Sequence, residues 1–201
     1  MFKAILHLLF FNYLLFGLEL DHIQSFNNWN NLQTGKISID WCTYENFPIS
    51  RAKTILDHPI NNVAGVVQDL DKYPEIFERV TKTIRLDKDV VQIVLDMPFP
   101  FDGRDYIVKY NIENFSDRWV FSFSSINHPL AKLDSEHVRL PNAAGIWILK
   151  KINEKQTEVI YAWNGELLGN FPDIGLTRAW VTQGNEVLTW LDKGLIERSG
   201  L

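Results

Sequence analysis

From Ile37 the chain alternates. Ile37, Ile39 and Trp41 fall on one side of an extended backbone, and Ser38, Asp40 and Cys42 on the other, which is the period of a β-strand. The stretch SRAKTILDH alternates again, with Pro48 marking a turn between the two. The period then lengthens. Val63, Val66, Val67 and Leu70 recur at helical spacing, with Pro59 near the start and Asn61 or Asn62 placed to cap it. Pro74 breaks that helix and opens a second, short one. A long run of alternating segments follows: VTKTIRLD and DVVQIVLDM around a turn at Lys88-Asp89, then DYIVKYNIENF, DRWVFSFSSI, AGIWILKKI and TEVIYAWNGE. The chain closes on a helix over about 175–198. There Trp180, Gly184, Val187, Leu188, Leu191 and Leu195 form one stripe, with Asp173 near the start and Lys193 and Arg198 near the end, as the helix dipole favours.

The expected order is strand, strand, helix, short helix, about six strands, long helix. Apolar-in, polar-out alternation implies an antiparallel sheet with one face in water. The long helix needs a partner for its stripe, and the apolar face of the sheet is the available one. The fold class is therefore α+β, a curved antiparallel sheet wrapped around a C-terminal helix. The space between them is filled or hollow according to side-chain volumes.

Composition narrows the function. At 201 residues the chain is expected to form one domain, and its net charge of −5 without a Lys/Arg-rich block argues against nucleic acid as a partner. Cys42 is the single cysteine, which excludes an internal disulfide and a cysteine-based zinc site. The histidines show no zinc-binding spacing, and His58 and His128, each before a proline, read as loop residues. There is no Gly-x-Ser-x-Gly elbow and no phosphate loop. Seven tryptophans and thirteen phenylalanines suit either a large core or the lining of an apolar cavity.

The N-terminus differs in kind. Lys3 precedes an apolar run from Ala4 to Leu18, about 15 residues against the roughly 20 a membrane span needs. A short positive region, an apolar middle and a polar exit at Glu19 to Asp21 have the shape of a secretory signal, although no A-x-A cleavage pattern is present and Gly17 is the only small residue nearby. An uncleaved anchor and a buried helix are the other readings. The expected division is an export signal over 1–20, an N-terminal segment over 21–36 and the domain over 37–199. The expected location is periplasmic or secreted, with membrane anchoring if the leader is retained.

The stretches DLDKYPEIFERV, VLDMPFPFDGRDYIVKY, SSINHPLAKLDSEHVRL and AGIWILKKINEKQTEVIYAW resemble, in order and spacing, the START (steroidogenic acute regulatory protein-related lipid transfer) domain family. The resemblance runs from about Trp41 to about Arg198. It implies a helix-grip fold, an internal cavity for one lipid-like molecule, and no cofactor or metal. It also implies gating by the C-terminal helix and a nearby loop. Residues 98–104 would be that loop, with Phe99 and Phe101 covering the opening or touching a membrane. Pro98 and Pro100 would stiffen it and Gly103 would allow a tight turn. Where the family often has Ser-Asp-Arg-Asp, this chain has Phe101-Asp102-Gly103-Arg104-Asp105, which keeps the Arg-Asp pair and loses the small polar residue before it.

Arg104 has two readings. It points into the cavity to hold a polar headgroup, or it makes a structural ion pair with Asp105 or another carboxylate. Direct pairing with Asp105 is disfavoured because adjacent strand residues face opposite ways. Tyr106, Tyr110, Trp119, Phe121, Phe123, Tyr161 and Trp163 from the strands, with Trp180, Gly184, Val187, Leu188 and Leu191 from the last helix, are the candidate lining of a ligand site or of a solid core. Gly184 would leave room for ligand or close the helix against a strand. The expected partner is a lipid or other hydrophobic small molecule, with transient membrane contact, and the expected state is a monomer. Two other functions compete. One is a polyketide aromatase/cyclase in which Arg104, Tyr110 and Tyr161 steer proton transfer. The other is a periplasmic interaction protein with a filled core and no ligand.

Overall fold

The computed structural model describes residues 18–133 and 135–199, so most of the expected export signal lies outside the described residues. The strands are β1 (Asn30–Gln33), β2 (Ser38–Tyr44), β3 (Phe47–Leu56), β4 (Val80–Asp87), β5 (Val90–Leu95), β6 (Gly103–Asn114), β7 (Arg118–Ser125), β8 (His137–Arg139), β9 (Ala144–Lys151) and β10 (Thr157–Asn164). The helices are α1 (Ile60–Val67), α2 (Tyr73–Ile76) and α3 (Leu176–Ser199). One sheet runs in the order β1-β2-β3-β10-β9-β7-β6-β5-β4, antiparallel throughout, and β8 pairs in parallel with the start of β6. It is curved and unclosed, and α3 packs into its concave side. This is the helix-grip arrangement that the strand order and closing helix led us to expect.

The β2–β3 turn is Glu45-Asn46, both left-handed at φ 49° and 68°, as a two-residue hairpin favours. Pro48 lies inside β3 opposite Thr43, and does not mark the turn. Helix α1 starts after Pro59, and neither Asn61 nor Asn62 caps it with a side chain. Strands β1 and β8 were not legible. NNLQ carries no alternation, and three residues are too few to show one.

Helix α3 lays Trp180, Leu188, Leu191 and Leu195 on the sheet and on α1, all almost fully buried. Gly184 sits at the centre of this contact. A Cβ there would stand 2.4 Å from Ile39 Cδ1 and 3.2 Å from Ala52 Cβ, so the missing side chain is what lets helix and sheet approach.

The outer face of the sheet is wet only in part, with Ile55 51% and the Lys109 side chain 59% exposed away from its centre. Cys42, Ile49, Val120, Ala144, Ile146, Ile148 and Ala162 point outward and form a second core with Leu18, Leu20 and Ile23, flanked by Phe26 and Trp29. The segment before β1 therefore crosses the back of the sheet, and the central strands are buried on both faces. That is why β9 reads as an unbroken apolar run from Ala144 to Leu149 instead of alternating. Burial there pushes the Cys42 thiol up to about 11.

A charged cluster pins this segment. The Arg51 guanidinium stacks 3.8 Å over the Trp29 ring and donates to Asp40 at 2.8 Å, and Lys53 lies 3.3 Å from the same carboxylate. Burial of Asp40 opposes its charge, but hydrogen bonds from Arg51 and Asn31, and the Lys53 charge, outweigh it and hold the pKa below the usual carboxylate value. A folded pKa below the unfolded one stabilises the fold above the unfolded value of about 3.9, and this is lost as pH falls through the folded value. The unfolding midpoint in urea is expected to drop more between about pH 6 and pH 3 in the native sequence than in Asp40→Asn. Equal drops would show that Asp40 is not part of the acid sensitivity.

Candidate ligand-binding cavity

Between the concave face of the sheet and α3 lies a cavity of about 640 Å³, within the roughly 300–1,000 Å³ typical of small-molecule sites. Its walls follow from the pleat. On β6 the inward positions are Arg104, Tyr106, Val108 and Tyr110, two residues apart; β10 contributes Tyr161 and Trp163, β9 Trp147 and β7 Phe123. Register brings these rings together. Tyr161 pairs with Trp147 across β10 and β9, their rings stacking at 4.1 Å, and Trp163 continues the stack at 4.9 Å. Tyr110 pairs with Phe123 across β6 and β7, with centroids 5.3 Å apart. Tyr73 and Phe77 from the α2 region close one side.

Helix α3 presents two adjacent stripes. Its fully apolar one, Trp180-Gly184-Leu188-Leu191, rests on the sheet. The stripe turned toward the cavity is mixed: Ala179, Thr182, Gln183, Glu186, Val187 and Trp190. The hollow thus lies beside the apolar contact and not beneath it. Glu186 receives two hydrogen bonds at 2.6 Å from Arg79, just before β4, a fork that ties the helix to the far wall of the cavity.

Arg104 is fully buried. Its guanidinium donates to the carbonyls of Leu167, Leu168, Asp102 and Gly103, with the Leu168 contact at 3.0 Å. No carboxylate pairs with it among the described residues. Burial lowers its pKa, partly offset by the Asp102 charge. Asp105 instead accepts from Arg139 on β8 at 2.9 Å and from Gln92 at 2.7 Å on the outer face. Of the two readings of Arg104, the ion pair with a carboxylate is replaced by hydrogen bonds to backbone carbonyls. What it holds is unusual backbone: Leu168 at φ 52° and Gly169 at φ 61°, left-handed conformations that cost a non-glycine residue about 1 kcal/mol or more.

The loop between β5 and β6 forms the mouth with residues 166–175. Phe99 is 96% exposed and Ile174 93% exposed, while Phe101 packs on Phe171 at 4.6 Å. Gly103 is not a turn residue. It opens β6, and a Cβ there would stand 2.5 Å from the His137 ring, so its bareness admits β8 alongside.

Of the residues singled out in the sequence, Arg104, Tyr106, Tyr110, Phe123, Tyr161, Trp163, Val187, Phe99 and Phe101 border the cavity. Trp180, Gly184, Leu188, Leu191 and Phe121 lie in the solid core, and Trp119 stacks on Phe121 at 5.7 Å. Gly184 leaves no room for ligand because Ile39 occupies the space. Residues not singled out include Tyr73, Phe77, Arg79, Trp147, Glu186, Phe171 and Trp190. Trp147 was hidden in the unbroken β9 run. Arg79 and Glu186 are 107 residues apart and carry no local signal.

No family model and no curated protein sequence matches the chain. Solved structures do. Human StAR-related lipid transfer protein 5 superposes with a TM-score of 0.76 at 16% identity, covering 90% of this chain and 92% of that one. A STAR-related lipid transfer protein from Xanthomonas axonopodis gives 0.72 at 18% identity, covering 84% of this chain and 99% of that one. The ZhuI aromatase/cyclase from a Streptomyces species gives 0.54 at 13% identity, covering 75% and 94%. The fold is that of these StAR-related lipid transfer proteins, and the aromatase/cyclase shares it more distantly.

Proposed function

We propose that the protein binds one hydrophobic small molecule between sheet and helix α3 and carries it between membranes. The observation that carries this reading is the cavity of about 640 Å³, walled by stacked aromatic rings. Burial of apolar ligand surface would drive affinity, at about 25 cal/mol per Å² before the entropic costs of binding. The carrier reading is supported over the cyclase one by the site's chemistry. Arg104 is committed to backbone carbonyls, and burial raises the Tyr110 and Tyr161 phenols well above their ordinary value, so these groups are poorly set for moving protons at neutral pH. Native mass spectrometry of the full chain, purified without detergent, should show a bound mass that organic solvent releases. A clean protein mass, together with no uptake of fluorescent lipid, would favour the ligand-free interaction protein.

Export belongs to the same proposal and rests on the pattern of residues 1–20.

Release needs the mouth to open, and two elements are placed for it. The Arg79–Glu186 fork is about one-quarter to one-third exposed, so its strength is screened by solvent. Replacing Glu186 by Gln is expected to speed exchange of a bound fluorescent fatty acid several-fold, with little change in thermal stability. Unchanged exchange would remove the fork from the gate. The exposed Phe99 and Leu168 border the mouth, and the exposed Ile174 lies in the chain between its residues Pro172 and Gly175. The double variant Phe99→Ser with Ile174→Ser is expected to slow vesicle-to-vesicle transfer several-fold while the bound stoichiometry stays the same. Unaltered transfer would rule out membrane contact by this rim.

A further inference from the structure

Strand β6 runs inward from the mouth, so Tyr110 lies six residues, or about 20 Å, beyond Arg104. Around it the cavity wall gathers four phenols, those of Tyr73, Tyr106, Tyr110 and Tyr161. The Val67 carbonyl can only accept, so the Tyr73 hydroxyl donates to it, at 2.7 Å, and its oxygen remains able to accept. The Tyr110 hydroxyl also borders the cavity and can donate or accept. The hydroxyls of Tyr106 and Tyr161 have no hydrogen-bond partner among the described residues and stand on the cavity wall as open donors. Burial alone shifts Tyr106, and burial followed by neighbouring tyrosines shifts Tyr110 and Tyr161, with no cation or carboxylate among the causes. Burial raises all of these phenols, so they stay neutral.

A neutral group of donors and an acceptor can satisfy a hydroxyl or carbonyl oxygen. It cannot compensate a buried charge, which without a counter-charge would be strongly penalised. The Trp147–Tyr161–Trp163 rings stack on one another, with interplanar angles of 22° and 18°, so their faces are taken up by their neighbours and Tyr161 is held rigidly between two tryptophans. We propose that the cavity beyond Arg104 holds a subsite for the hydroxyl or carbonyl oxygen of an uncharged ligand, which accepts hydrogen bonds from Tyr106 and Tyr161. The proposal rests on the carrier reading above and adds the class of ligand and the end by which it enters. A charged headgroup has no place at this end.

Three probes of one shape separate the possibilities: anthracene, anthraquinone and anthracene carboxylate, titrated against tryptophan fluorescence of the full chain. Tyr106→Phe with Tyr161→Phe removes two hydroxyls and keeps the rings. The double variant should bind anthraquinone about five- to tenfold more weakly and bind anthracene as the native chain does. Retained anthracene binding also shows that the variant is folded. Anthracene carboxylate should bind the native chain at least tenfold more weakly than anthraquinone. If the double variant weakens both neutral probes alike, or neither, or if the carboxylate binds as tightly as the quinone, the subsite is wrong while the carrier reading stands. If no probe binds the native chain, this proposal fails, while the carrier reading stands or falls with the native mass spectrum and fluorescent-lipid uptake.

Discussion

Replacing Arg104 by methionine is expected to remove about 3–5 kcal/mol of folding stability, a fall of roughly 10–15 °C in Tm for a domain of this size. The stem survives the substitution and the fork does not. Each hydrogen bond from a charged donor contributes about 1.5–3 kcal/mol, and the carbonyls left behind sit where water reaches poorly. The loss falls on a particular stretch. Leu167 and Leu168 lie 63 and 64 residues from Arg104 in sequence, and Leu168 is in the left-handed region that needs such support. Lysine should rescue little, because one ammonium cannot span four carbonyls in a fixed fork. Differential scanning calorimetry of the native chain, Arg104→Met and Arg104→Lys checks this. A Tm within 2–3 °C of native in Arg104→Met, about 1 kcal/mol, coupled with lost affinity for an anionic lipid, would return Arg104 to the headgroup role.

That residue also shows where sequence reading stops. Alternation put Arg104 and Asp105 on opposite faces of β6, and so disfavoured their pairing. It could not say that Arg104 would be answered by carbonyls of the β10–α3 connection, or Asp105 by Arg139 of a three-residue strand, because such partners are set by the closing of the sheet. The helix stripe shows the same limit. Periodicity marks the face of α3 with the most apolar surface, and that face becomes solid contact through Gly184 and Leu188. The neighbouring face, with Glu186, Val187 and Trp190, borders the hollow, and its mixed character gives a weaker signal. The strand run, the closing helix and the exposed Phe99 were legible because each depends on local pattern. The two-sided burial of β9 was partly legible, since an unbroken apolar run is what a strand covered on both faces looks like.

What covers that second face leads to the other large expected effect. A chain that begins at Asn27 is expected to fold poorly or not at all, whereas one that begins at Leu18 should fold. Leu18, Leu20 and Ile23 are 6%, 1% and 2% exposed, and all three lie against the back of the sheet. Removing one such side chain costs about 2–5 kcal/mol when the site cannot collapse, and a rigid sheet cannot. Three together approach the entire stability of an ordinary domain, about 5–15 kcal/mol. The shortened chain would also bare Ile49, Ile146 and Ile148 as one apolar patch, which favours aggregation. Cys42 reports the event directly. It is buried in this second core, with its thiol held at about 11, and should react slowly with a thiol reagent in the longer chain and quickly in the shorter one. The milder variant Leu20→Ala tests the same contact without truncation and should lower the urea midpoint by an amount matching about 2–5 kcal/mol. The argument extends to export. A leader cut after residue 20 would strip Leu18 and Leu20 from the fold, and a cut before Leu18 would keep them. N-terminal sequencing of protein recovered from its cell is therefore expected to begin no later than Leu18. A mature terminus at Asp21 with unchanged Cys42 protection would mean that the second core stands without these two leucines.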